Sequence, residues 1–302
     1  MQKTILITGV NGFIGSHAAS HLIKEHSVIG VGASEQPAID TLDDYKKMIL
    51  PDSSLSDYLQ AKKPDAVLHC AGQGSVPLSV ENPEADFIAG PQLVMHVLDS
   101  LRRSKIRATF IFPSSAAVYG NPDTLPVSED APLRPISPYG FHKVISENIL
   151  REYYELYDQP YLCMRIFSCY GEGLKKQLLW DAAVKASHGG MQLFGTGEET
   201  RDFIHVNDLT RIVSFLITNE ITNTTLNVAN GVQVSVREII ETLMGSLNLD
   251  VPIHFNQEQR EGDPLFWEAD ISRLSKLGFI SKVPLQDGVR RFAEWYLKQN
   301  IK

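Results

Sequence analysis

Cysteine is scarce in this sequence: three in 302 residues, at Cys70, Cys163 and Cys169. An odd number without paired or metal-type spacing argues against a disulfide framework and a thiolate metal site, and none is expected. Each lies in an apolar, strand-like setting, so all three read as reduced core residues of a cytoplasmic protein. No apolar run approaches the ~18 residues of a membrane span, so no membrane association is expected. No signal peptide is expected either, because Met1-Gln2-Lys3 leads straight into a short apolar stretch. Positive charge is in short supply: 28 Lys+Arg against 36 Asp+Glu give a net charge of -8, with no long basic run to offset it. That balance argues against nucleic acid and leaves small molecules or other protein chains as partners. Internal repeats and low-complexity linkers are absent. With 43% hydrophobic and 21% charged residues, the chain reads as an ordinary globular protein of one large or two smaller domains. An acidic protein that binds an anion needs arginines placed at the site.

The chain opens with an apolar run, Lys3 to Thr8, of buried-strand type. Gly9-Val10-Asn11-Gly12-Phe13-Ile14-Gly15 follows, and then a helical pattern through Ile23. Glycines between a strand and a helix let the backbone pass close to a diphosphate, and the helix N-terminus offers unpaired N–H groups to negative charge. Ser27 to Val31 reads as a second strand. Its end, where an acid would accept from the adenosine ribose, is Gly32-Ala33-Ser34, and no arginine stands there either. The stretch from Glu35 to Leu50 is polar and carries no assignment; Asp52 reads as a surface turn. Asp65 to Gly72 is another buried strand, with His69 structural and with small residues, Ala71 and Gly72, at its end. Ala85 to Arg103 has helical spacing.

Thr109 to Phe112 is the next strand and delivers Ser114-Ser115, in the region beyond the carboxyl ends of strands where open parallel sheets bind ligands. Downstream, Ser137 and Pro138 are good N-cap and first-turn residues for a helix that carries Tyr139 and Lys143. Four residues apart, these two share one helix face, and a neighbouring cation stabilises a phenolate and makes the tyrosine a usable base.

Together with Gly195 to Asp208, these stretches make the chain resemble the extended short-chain dehydrogenase/reductases, specifically the NAD-dependent nucleotide-sugar epimerase/dehydratase family, over nearly its whole length. The resemblance implies an α/β fold: a Rossmann-type doubly wound parallel sheet in residues 1–167, and a smaller α/β substrate-binding lobe in 168–302, with some later segments returning to the sheet. It implies NAD as cofactor, held by Gly9, Asn11, Gly12, Phe13, Ile14, Gly15, Ala71, Gly72, Ser114, Tyr139 and Lys143, and the missing acid after strand two leaves NADP open. By the same resemblance Ser115 hydrogen-bonds the reacting sugar oxygen, Tyr139 moves its proton, and Lys143 binds the nicotinamide ribose. Ser168, Arg201 and Arg260 hold a nucleotide-diphosphate sugar, and no metal is implied. A homodimer is expected, with the helices from Ala85 to Arg103 and from Ser137 to Tyr157 pairing across the interface. Two positions depart from the family pattern, where asparagines are replaced by Gly90 and Ser168.

The family's dehydratases place acidic residues directly after the catalytic Ser or Thr. Ala116 and Ala117 stand there, and neither can move a proton. Chemistry at one carbon remains. The expected function is a nucleotide-sugar 4-epimerase of UDP-hexose type, acting by transient oxidation at C4. The alternatives are a reductase of a nucleotide-linked 4-keto sugar that consumes NAD(P)H and, with a complete Ser115, Tyr139 and Lys143 set against it, a non-catalytic nucleotide-binding protein. On the closing helix, Val289, Phe292, Trp295 and Tyr296 form an apolar stripe.

Overall fold

Short runs rich in Val, Ile and Leu, bounded by glycine and polar turns, become strands buried on both faces when helices cover a parallel sheet. The computed structural model describes residues 1–258 and 262–299. In chain order its first half runs β1 (Thr4–Thr8), α1 (Phe13–Leu22), β2 (Ser27–Gly32), β3 (Asp44–Lys47), α2 (Leu55–Lys62), β4 (Ala66–His69), α3 (Val76–Glu81), α4 (Pro83–Phe87), α5 (Leu93–Ser104), β5 (Thr109–Ser115), α6 (Pro138–Tyr157) and β6 (Tyr161–Ile166). The second half continues with β7 (Ser168–Tyr170), α7 (Gln177–Ser187), β8 (Met191–Leu193), β9 (Thr200–His205), α8 (Val206–Thr218), β10 (Thr224–Val228), β11 (Gln233–Ser235), α9 (Val236–Leu247), β12 (Ile253–Phe255), α10 (Ser272–Lys276) and α11 (Leu285–Gln299).

The main sheet has seven strands in the order β3-β2-β1-β4-β5-β6-β10, and the pairs from β3 through β6 are parallel. This is the dinucleotide-binding strand order, whose direction of winding reverses between β1 and β4 and opens a crevice at their carboxyl ends. The chain is a Rossmann-type α/β protein. Two compact units divide it. The first holds Met1–Gly120, Leu133–Ile166 and Thr210–Leu226; the second holds Asn121–Pro132, Phe167–Leu209 and the chain from Asn227 on. Two segments thus lie across the expected cut at 167/168: Asn121–Pro132 in the second unit and Thr210–Leu226 in the first.

In the first unit, Leu6, Val67, Phe110 and Cys163 of the sheet pack with Val94, Val97, Leu98 and Leu101 of α5 and with Ile149, Leu150 and Tyr153 of α6. Each such large side chain, fully buried, contributes about 1.5–3 kcal/mol. The second unit has its own core, in which Val289, Phe292 and Tyr296 of α11 meet Ile239, Ile240 and Leu243 of α9, with Trp295 partly buried beside them. Its sheets are β11-β9-β7 and β12-β8. All three cysteines are free thiols.

Three elements differ from the sequence expectation. The polar stretch from Glu35 to Leu50 contains β3, an edge strand. The single helix expected from Ala85 to Arg103 is α4 and α5 joined by a π-turn at Ile88–Gln92, with Pro91 inside it. Proline has no N–H to give and its ring crowds the carbonyl four residues back, and the wider turn relieves both. β5 runs three residues beyond Phe112, through Pro113 to Ser115, so both serines ride on the sheet itself.

Candidate active site

The glycine turn divides its labour. Gly9 has φ +66°, and a Cβ there would lie 2.6 Å from the Ala71 nitrogen. A Cβ on Gly15 would lie 2.4 Å from the Gly9 carbonyl. These two glycines let β1, α1 and the end of β4 close on one another. A Cβ on Gly12 would meet only the Gly9 carbonyl, at 3.2 Å, and otherwise opens outward. Gly12 is also the N-cap of α1, and no side chain caps that helix. The first-turn N–H groups of Phe13, Ile14 and Gly15 are therefore left for a ligand, a fit to a dinucleotide's diphosphate. Beneath the turn, the Thr8 hydroxyl lies 2.8 Å from His69 Nδ1 and accepts from the Ala71 N–H at 3.3 Å. Burial depresses the His69 pKa to about 3, with the Lys143 charge adding to the effect, so the ring is a neutral strut. Burial likewise pushes the Cys70 thiol up to about 12, which makes it an inert core group.

Tyr139 and Lys143 stand in the first turns of α6. Every early donor of this helix is accounted for. Pro138 has none, the Gly140 N–H reaches Ser137 Oγ at 3.2 Å, and the Tyr139 N–H reaches Ser79 Oγ at 3.0 Å. Ser79 is fully buried on α3 and in turn donates to the Val76 carbonyl at 2.7 Å. The Lys143 ammonium donates to the Pro113 carbonyl at 2.8 Å, and sits 4.5 Å from the Phe112 ring centroid and 5.6 Å from that of Tyr139. The lysine thus bridges the end of β5 to the face that carries the tyrosine. A Cβ on Gly140 would lie 2.6 Å from the Ala117 carbonyl, which shows how closely α6 approaches the turn after Ser115. Ser115 Oγ accepts the Ala117 N–H at 3.2 Å and keeps its own proton to donate.

Behind these groups is a buried ionic network that the sequence reading missed. Glu147, one turn beyond Lys143, accepts from Ser114 Oγ at 2.5 Å and from Arg165 of β6 at 2.8 and 3.1 Å. Arg165 also donates to the Tyr119 hydroxyl at 2.9 Å. Burial works against the guanidinium, but Glu147 and Tyr119 outweigh it and raise the Arg165 pKa above its ordinary value. The network ties β5, β6 and α6 together behind Ser115. Ser114 spends its proton inside it. The one available signal was the i,i+4 spacing of Glu147 from Lys143.

The remaining candidates belong to the second unit. Ser168 opens β7, in register with Phe203 of β9. Arg201 lies on β9; its guanidinium donates to the Thr200 carbonyl at 2.8 Å and stands 5.6 Å from the Trp267 ring centroid. The neighbouring Asp202 is fully buried and accepts the N–H groups of Asn230, Gly231, Val232 and Ala269, so it belongs to the framework. Arg260 lies outside the described residues. Asp52 accepts from Ser54 N and Oγ in a local turn.

The sequence model of the NAD dependent epimerase/dehydratase family matches residues 5–229. The chain belongs to this family. It is 31% identical to a UDP-glucose 4-epimerase of Azospirillum brasilense, over 98% of this chain and 93% of that one. Among solved structures it is similar to a UDP-glucose 4-epimerase of Thermotoga maritima bound to UDP-glucose, with a TM-score of 0.89, 26% identity, and 98% and 99% of the two chains covered. It is similar also to a UDP-glucuronic acid 4-epimerase of Bacillus cereus in complex with UDP-glucuronic acid and NAD, with a TM-score of 0.90, 25% identity and the same coverage. In this epimerase/dehydratase chain, Ala116 and Ala117 form a buried turn after Ser115, with no acid or base at either position.

Proposed function

We propose that the chain is a nucleotide-sugar 4-epimerase of UDP-hexose type that uses NAD. The observation that carries this reading is the placement of Tyr139 and Lys143 on α6 against the end of β5, where Ser115 is followed by two alanines. The nicotinamide supplies a hydride acceptor and donor for C4 of the sugar. Ser115 donates to the C4 oxygen. Tyr139 takes the C4 hydroxyl proton in the oxidative direction and gives it back to the C4 oxygen in the reductive one, so no proton is gained or lost over a cycle that would invert C4. Lys143, pinned by the Pro113 carbonyl, holds positive charge beside the tyrosine and would bind the nicotinamide ribose. With alanine at 116 and 117, loss of the C6 oxygen has no proton donor there.

The first unit is assigned to the cofactor, and the second, through Ser168, Arg201 and Arg260, to the nucleotide sugar. Arg201's planar cation suits a diphosphate, for which an acidic chain must supply local charge. A homodimer through the α4–α5 and α6 faces is supported by the large apolar side chains they expose, among them Phe87, Met95, Phe141, Ile145 and Leu156. The free thiols support a cytoplasmic location. No helix among the described residues is long and apolar enough to cross a membrane.

The test is incubation with UDP-glucose and with UDP-N-acetylglucosamine without added cofactor, followed by analysis of the C4 configuration. Appearance of the C4 epimer is expected. Turnover only of a 4-keto sugar, with stoichiometric loss of NADPH, would sink the epimerase reading in favour of a reductase.

A further inference from the structure

The end of β2 is where a dinucleotide fold tells the ribose 2′-hydroxyl from a 2′-phosphate, by a carboxylate or an arginine. In this chain the position carries neither group, and the space beside it is tight. A Cβ on Gly32 would come within 3.0 Å of the Tyr45 hydroxyl and 3.5 Å of Asn11 Nδ2. Tyr45, on β3, donates to the Ser34 carbonyl at 2.6 Å. Asn11, from the glycine turn, donates to the Gln36 carbonyl at 3.1 Å and accepts the Ala38 N–H at 2.8 Å. The helix-free crossing from β2 to β3 is thereby stitched to both neighbours. The acids at the start of β3 are spent elsewhere: Asp43 on the Val28 N–H, and Asp44 on Lys62 and Tyr58. Beside the closed position, at the end of β3, the exposed Lys47 is paired with the exposed Glu35. Lys47 is the register partner of Gly32, so the pair brings one charge of each sign beside that position.

We infer that this site takes both NAD and NADP, with Glu35 able to accept from a 2′-hydroxyl and Lys47 able to pair with a 2′-phosphate, while the Tyr45 hydroxyl crowds a discriminating side chain at position 32. The inference rests on the nucleotide-binding reading above. Its test is direct binding, by fluorescence titration of NADH and NADPH into charcoal-treated protein. The two dissociation constants are expected within about tenfold of each other, because an exposed ion pair is worth no more than about a fivefold change in affinity. Lys47→Gln is expected to move the ratio toward NADH and Glu35→Gln toward NADPH, each by a few-fold. The double variant Gly32→Asp/Tyr45→Phe, which opens room for a carboxylate, is expected to favour NADH by at least a further tenfold. A wild-type preference of a hundredfold for NADH, or a ratio unmoved by either charge variant, overturns this inference alone. Failure of both nucleotides to bind overturns the nucleotide-binding reading, and the inference with it.

Discussion

Replacing Glu147 by glutamine leaves shape almost unchanged but removes the charge from the centre of a buried network. The side chains of Arg165 and Glu147 are only 7% and 10% exposed, so water cannot take over the guanidinium's lost partner. The arginine then faces a neutral amide oxygen, and Ser114 loses a charged acceptor. Breaking one side of a buried pair costs about 3–5 kcal/mol, a large part of the ~5–15 kcal/mol that holds a protein folded. Urea denaturation followed by circular dichroism should therefore show a midpoint lower by about 1 M or more, for a slope near ~3 kcal/mol/M. Glu147→Leu combined with Arg165→Met removes both charges and should recover most of that loss, since apolar replacement of a whole buried pair is often near neutral. In Glu147→Gln, kcat should fall more than KM rises, because Ser115 and Lys143 stand on the two elements that the network joins. A single-variant cost below about 1 kcal/mol, or a double variant as damaged as the sum of the singles, refutes the reasoning.

Tyr139→Phe should lower kcat by about 10²–10⁴-fold while circular dichroism and nucleotide binding stay as in the wild type; full turnover would remove Tyr139 from the chemistry. Gly12→Ala should fold normally but bind NADH more weakly, whereas Gly9→Ala should lose stability, because its φ is +66° and its Cβ would strike the Ala71 backbone. Equal effects of the two on folding would contradict the division of labour in the turn. His69 titrates near 3 in the folded chain against about 6.5 when unfolded, so as pH falls through that window the unfolded chain takes up a proton that the folded one refuses. Its contribution is complete above pH 6.5 and is lost toward pH 3. From pH 7 to 5 the wild type should lose about 2 kcal/mol more than His69→Gln, measured by urea titration at both values.

Much of the fold was readable because its strands are apolar runs with obligatory turn residues between them. β1, β2 and β4 and the stripe of α11 were found this way, and so was the cap of α6 at Ser137. β3 was not, because Asp44-Tyr45-Lys46-Lys47 is an edge strand with no apolar run and no clean alternation. The π-turn escaped because helical spacing continues on both sides of Pro91 and only the backbone between them changes. In the site, the residues adjacent in sequence to a motif were legible. Their partners were not: Ser79 meets Tyr139 across 60 positions and Arg165 meets Glu147 across 18, and such pairings are made by the sheet order.

The hydrogen bond from the Tyr139 N–H to Ser79 also bears on the order of assembly. α6 can wind locally, but its second donor is satisfied only after α3 has been carried into place by the pairing of β1 with β4. The first turn of α6 therefore depends for its final register on α3 being docked. Native-state hydrogen exchange at the Tyr139 amide should accordingly report the opening of the α3 segment, at a lower free energy than the amides in the middle of α6.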